Sequence, residues 1–206
     1  MTSIQLAQTL LWCIPLINLV GLLGQVRTNY YRKSTDGMSF WMLWTSHLAV
    51  ISFVMYCHLL DLPLSLRVLV PIEGLVVTFL VIQEIWYAPS YTFRRQITVW
   101  HGGILVSTSC VWYASLFVPT LIGSIAGWTG VLMVAIAQFP QIWQHWRRKS
   151  VVGYSKTMLA SATLSSALLI WISVVLSLPL PSLANGIRAL VKRLIIWWQV
   201  FLYYER

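Results

Sequence analysis

One segment of this chain is written twice. Gln25, Arg32, Lys33, Ser34, Gly37, Ser39, Met42 and Leu43 each return as the identical residue 116 positions later, at Gln141, Arg148, Lys149, Ser150, Gly153, Ser155, Met158 and Leu159. The register continues outward without a gap. It sets Trp12 over Trp128, Leu16 over Leu132, Leu62-Pro63-Leu64 over Leu178-Pro179-Leu180, Gln83 over Gln199 and Tyr87 over Tyr203. An ungapped register across most of two halves requires one structural unit in two copies.

The unit belongs in a membrane. With 58% hydrophobic and 9% charged residues among 206, a single soluble core cannot hide the apolar side chains, so lipid must be most of the solvent. A spanning helix needs about 20 mostly apolar residues. The stretches 4–25, 39–60, 67–88, 97–118, 121–143, 156–178 and 183–204 qualify, the last interrupted by Arg188, Lys192 and Arg193. The net charge of +9 sits in short clusters at the ends of these stretches, where it reports orientation and not nucleic-acid binding. Arg27, Arg32 and Lys33, then Arg94 and Arg95, then Arg147, Arg148, Lys149 and Lys156 occupy every second loop, against Arg67 alone in the others. An exterior N-terminus puts all three rich loops in the cytosol, together with Arg206. Trp41, Trp44, Trp86, Trp143 and Trp146 then form a belt at the cytosolic boundary.

The spans divide as residues 1–90 (spans one to three), 91–120 (span four, a linker) and 121–206 (spans five to seven). Stepping by four spans preserves direction, so the expected fold is an all-α membrane protein of two parallel three-helix bundles plus a linker helix. Parallel repeats hold a solute between the halves near mid-membrane. Cys13, Cys57 and Cys110 are too few and scattered for a disulfide framework or zinc site, and read as small buried hydrophobes. Met1 to Gln8 lacks a basic n-region, so the first apolar run reads as a retained span. Gly123, Gly127 and Gly130 smooth one side of span five for close packing. The sequence carries no phosphate cradle, metal-spaced His/Cys set or Ser-His-acid relay, so no enzyme, cofactor or metal is expected.

The repeated core has the chemistry of a moving part. Phe139-Pro140-Gln141-Ile142 precedes Arg148-Lys149-Ser150-Val151-Val152-Gly153-Tyr154-Ser155. Proline removes a backbone donor and loosens the end of span five. Gly153 permits a positive φ in a tight loop, and Ser155 can cap the next helix. The first copy has Gly24-Gln25 in place of Pro140-Gln141, and glycine also loosens a helix end. At these residues the chain resembles the PQ-loop repeat family of the MtN3–SWEET transporter superfamily, and its second loop is similar to those of cystinosin-like and lysosomal amino-acid exporters. The resemblance implies the three-plus-one-plus-three layout, alternating access, and Gly24, Gln25, Pro140 and Gln141 as hinge or gating positions. Exporters of this kind couple to protons through an aspartate early in the helix after a PQ loop, whereas spans two and six here hold no acidic residue before Asp61. SWEET-like carriers use an asparagine in the third helix of each repeat; Asn185 starts span seven, but its repeat mate is Leu69.

Ionisable groups in a bilayer cost at least a few kcal/mol each and call for partners. Glu73 lies in the outer half of span three. Arg188, Lys192, Ile195 and Gln199 are spaced to share one face of span seven, at a depth that lets Arg188 and Lys192 face Glu73 across a central cavity. Opposite charges there suit a zwitterion; a structural ion pair or snorkelling of the bases is the alternative. Asn18 is a candidate for solute contact. His47, the mate of Thr163, reads as a bonded helix neighbour or a proton sensor. Trp12 and Trp128 read as packing or as a platform facing the axis, and Glu84 as solvated beside Arg94 and Arg95. The expected function is a carrier of a small polar solute, an amino acid or related zwitterion. The alternatives are a SWEET-like sugar uniporter and a non-transporting receptor of KDEL-receptor-like fold. A bacterial inner membrane and a lysosome-like membrane both fit, while the solute, proton coupling and oligomeric state are not legible.

Overall fold

The computed structural model describes residues 2–36, 38–178 and 180–203, apart from the side chains of Gln138 and Pro181. Gly37, Pro179 and Arg206, all used in the sequence reading, lie outside the described residues. Seven helices follow one another: α1 (Ser3–Arg32), α2 (Phe40–Leu59), α3 (Leu64–Trp86), α4 (Tyr91–Ser115), α5 (Pro119–Arg148), α6 (Lys156–Val175) and α7 (Leu180–Tyr203). Of these, α1, α2, α3, α5 and α6 are long and apolar enough to cross a membrane by length and composition. Polar and basic residues dilute α4 and α7.

Packing order differs from chain order. In the first bundle α3 packs between α1 and α2, and in the second α7 packs between α5 and α6. Two seams join the bundles, α1 against α6 and α2 against α5. The six helices therefore close a ring, α1–α3–α2–α5–α7–α6, whose halves exchange under a two-fold axis. α4 lies outside the ring against α2, α3 and α5, and this is why Cys110 is exposed where a buried cysteine was expected, while Cys57 is buried and Cys13 half-buried.

The duplication extends to the backbone. Lys33 and Lys149 both take φ 50°, and Asp61 and Ser177, again 116 apart, both take φ 48°. Each left-handed lysine ends a helix of 30 residues. Its ammonium sits over the ring three residues back, 3.7 Å from Tyr30 and 4.1 Å from Trp146, a cation–π contact that offsets the backbone strain. Spans one and five thus run beyond 4–25 and 121–143, and Pro140 does not end its helix. Losing one N–H leaves a single carbonyl unpaired, and the helix survives to Arg148.

The two seams fill like spaces with sizes exchanged. On one, Ala7, Leu11 and Ile14 of α1 cluster with Ile172 of α6. On the other, their mates Gly123, Gly127 and Gly130 lie against Leu60, which caps α2, and Tyr56 and Phe53 within it. A Cβ at Gly127 would stand 2.6 Å from the Tyr56 ring, so the glycines are there for packing. Gly127→Ala is expected to cost about 1–3 kcal/mol by overpacking, read as a lower thermal midpoint of the purified protein. Tyr56→Ile in the same chain should recover most of the loss.

Candidate functional site

The bundles are tied at their basic end by two glutamines. Gln25 of α1 accepts from the Ser155 N–H at 2.9 Å, where α6 begins. Its mate Gln141 of α5 accepts from the Ser39 N–H at 2.8 Å, where α2 begins. Each glutamine supplies an acceptor to the unpaired N-terminal end of a helix in the opposite bundle. Both are fully buried, so their remaining atoms need partners. The Gln25 amide donates to Asn29 Oδ1 at 2.8 Å and to the Gly153 carbonyl at 3.1 Å, and the Gln141 amide lies 2.5 Å from His145 Nε2. Third helices brace the arrangement: Gln83 donates to the Val26 carbonyl at 3.1 Å and Gln199 to that of Ile142 at 2.9 Å. Gly153 takes φ 91°, and Ser155 caps α6 through Met158 N–H at 3.2 Å, both as the sequence indicates. At Gly24 a Cβ would meet Thr157 Cβ at 3.1 Å, so α6 comes up close to α1 there.

Above this closure lie unlike charges. Glu73 of α3 accepts from Asn18 Nδ2 at 3.2 Å. Arg193 of α7 is bonded to the Ser166 hydroxyl of α6. Each feels the charge of the other, yet they form no direct ion pair among the described residues. Both are half-buried, and they come from different bundles. Tyr154, in the loop before α6, packs on apolar clusters of both bundles. Burial pushes its phenol up to about 12 despite the neighbouring Arg193 charge, so it remains protonated and able to donate.

The sequence-derived candidates separate into groups. Asn18 and Glu73 come together. Asn185 accepts from Arg188, and both line α7 without meeting Glu73 in a direct bond. Lys192 is buried but turns to α5, donating to the Val134 carbonyl at 2.8 Å beside the Phe139 ring. Ile195 is 38% exposed, so the proposed four-residue face of α7 does not hold; Lys192, Ile196 and Gln199 share the buried side, with Arg193 turned toward α6. Trp12 and Trp128, at 42% and 50% exposure, continue the outward stripes of Leu16 with Val20 and of Leu132 with Ile136, away from the axis. His47 faces α4, its Nδ1 3.0 Å from that of His101. Glu84 is not solvated: it is 4% exposed and turned to His101, because α4 covers that side of α3. Arg193 and Tyr154 were missed. Gln83 and Gln199 were visible as a matched pair, and identity at the repeat offset was the available signal for their role.

The PQ loop repeat family model matches residues 6–66 and 122–182, more than half of the chain, and the protein belongs to that family. It is similar to a eukaryotic SWEET transporter of known structure, with a TM-score of 0.74 and 18% identity over 100% of both chains. The fold is that of a multi-pass, seven-helix membrane protein with two parallel three-helix repeats. A search of curated proteins finds no match.

Gln25→Ala would leave the Ser155 N–H buried and unpaired, at about 1–3 kcal/mol. Hydrogen exchange at the Ser155 amide should quicken roughly tenfold or more in this variant, with Ser39 less affected. Gln141→Ala should reverse the order.

Proposed function

We propose that this protein carries a small zwitterion, an amino acid or close relative, across a membrane by alternating access. The observation that carries the reading is the pair Glu73 and Arg193, one charge from each bundle, both half-buried and not directly paired among the described residues. Separated unlike charges suit a guest that brings an ammonium for Glu73 and a carboxylate for Arg193, because a buried charge is stable only when paired. Asn18, Ser166 and Tyr154 supply orienting hydrogen bonds. Arg193 thus takes the role that the sequence suggested for Arg188 and Lys192, with Arg188 and Asn185 on the same helix as a secondary contact.

Residues 1–90 and 121–206 are the two bodies that rock, with 91–120 linking them. The basic end opens when the Gln25 and Gln141 bonds release, Gly24 and Pro140 absorbing the bend. The N-terminus lies outside or in a lumen, and the basic loops are cytosolic.

A sugar is the second reading, favoured by the fold shared with a SWEET transporter and by the amides of Asn18 and Asn185. Thermal-shift measurements separate the two. A neutral amino acid at about 100 times its Kd should stabilise the wild type by about 2.7 kcal/mol, and Glu73→Gln or Arg193→Gln should abolish the shift while sparing the unliganded midpoint by comparison. Stabilisation by sugars alone, unaffected by Glu73→Gln, would overturn the zwitterion reading. Uptake of labelled solute into liposomes distinguishes a carrier from a receptor, which would retain ligand without moving it.

A further inference from the structure

We propose that Glu84, His101 and His47 form a proton-binding site that pins the linker helix α4 to the first bundle. The three side chains come from α3, α4 and α2, and all are buried, at 4%, 3% and 2% exposure. The solute site proposed above uses none of them. The second bundle has no counterpart: the mates of His47 and Glu84 are Thr163 and Val200, and α4 has no mate at all. The cluster exists only where the linker docks.

If both Thr78 contacts are kept as hydrogen bonds, the ring hydrogens of two neutral histidines leave one proton missing. Thr78 gives its hydroxyl hydrogen to the Gly74 carbonyl at 2.9 Å, so toward His47 Nε2, 3.4 Å away, it can only accept. His47 Nε2 then carries hydrogen, and in the neutral ring Nδ1 is bare. The 3.0 Å contact between the two Nδ1 atoms therefore needs the hydrogen of His101. A neutral His101 has used its hydrogen there, and its Nε2 is left as a lone pair. That lone pair faces Glu84 Oε2 at 3.8 Å, and neither atom has a hydrogen bond among the described residues. Two acceptors confronting one another in a dry site are unfavourable.

One proton from solvent corrects the gap. It forms an O–H on Glu84 or an N–H on His101; nothing leaves, and in either case the pair becomes neutral overall. The contact can then close toward about 2.8 Å, drawing α3 and α4 together. His47, Glu84 and His101 are the titratable groups here. No lysine or arginine is bonded to them among the described residues, and α5, the other helix packed on α4, adds no titratable group to the cluster. The Phe40 ring closes one side, its centroid 6.2 Å from that of His101.

Proton uptake by the folded, detergent-solubilised protein, titrated from about pH 8 to about pH 6, tests this. An ordinary glutamate is already ionised throughout that range, so a Glu84 serving only as packing would add nothing to uptake. The expected result is that Glu84→Gln takes up about one proton fewer than wild type, while Glu73→Gln keeps the Glu84-dependent uptake. The thermal midpoint of wild type should also rise on acidification by roughly 2–4 °C more than that of Glu84→Gln, since the docked helix holds a proton that the unfolded chain releases. If Glu84→Gln does not accumulate, Glu84→Asp, which widens the gap, should still reduce both effects. Uptake curves that superimpose for wild type and the Glu84 variants would overturn the proposal.

Discussion

The reciprocal glutamine bonds are the constraint on which the rest of the fold depends. A helix N-terminus buried between bundles has backbone donors that water cannot reach. Here each bundle supplies the missing acceptor to the other, Gln25 to Ser155 and Gln141 to Ser39. The exchange works only if both copies have the same loop length, the same left-handed turn at Lys33 and Lys149, and the same distance from glutamine to helix end. This explains why the repeat is most faithful between residues 25 and 43. In the proposed opening of the basic end the two bonds would break together, because buried amides released from one partner must find water or another partner.

Symmetry belongs to the backbone and to the closure; the interior chemistry lies where symmetry has lapsed. Asn29 and His145 are repeat mates serving one role, each beside its glutamine, and Met38 and Tyr154 are mates that both pack in the interior near the closure. Glu73 has Ala189 as its mate, and Arg193 has Val77. One acidic and one basic group thus arise from different copies, without a symmetric duplicate of either. A symmetric pair of either kind would set like charges against each other in low dielectric. Loss of identity at these positions is what an asymmetric guest, as proposed above, would require.

α4 stands apart from this scheme. It restores chain direction so that both bundles run alike. It rests on the outside of the ring and carries the one histidine that meets His47. Aromatic edges from Trp41, Trp44 and Trp100 contact one another at 5.9–6.1 Å over the α2–α4 junction, so apolar packing and a buried polar cluster fasten the linker to the first half, while α5 of the second half also packs on it.

The sequence by itself determined the duplication, the seven helices, their parallel arrangement and the loop turn at Gly153 with its cap at Ser155. Each of these is written in local spacing: an offset of 116, apolar runs of spanning length, a glycine and a serine where the loop turns. Asn18 and Glu73 were legible as well, since a polar group in an apolar run stands out wherever it sits. Which base faces Glu73 was not. A face count along α7 selects Arg188 and Lys192, but α7 is hemmed by α5 on one side and α6 on the other, and Lys192 is claimed by an α5 carbonyl while Arg193 turns to α6. The burial of Glu84 was equally hidden, because it depends on α4 folding back over α3, and the partner lies in a helix that the repeat does not describe. Helix identity follows from spacing along the chain; the partner of a side chain follows from which helices become neighbours, and only the closed ring decides that.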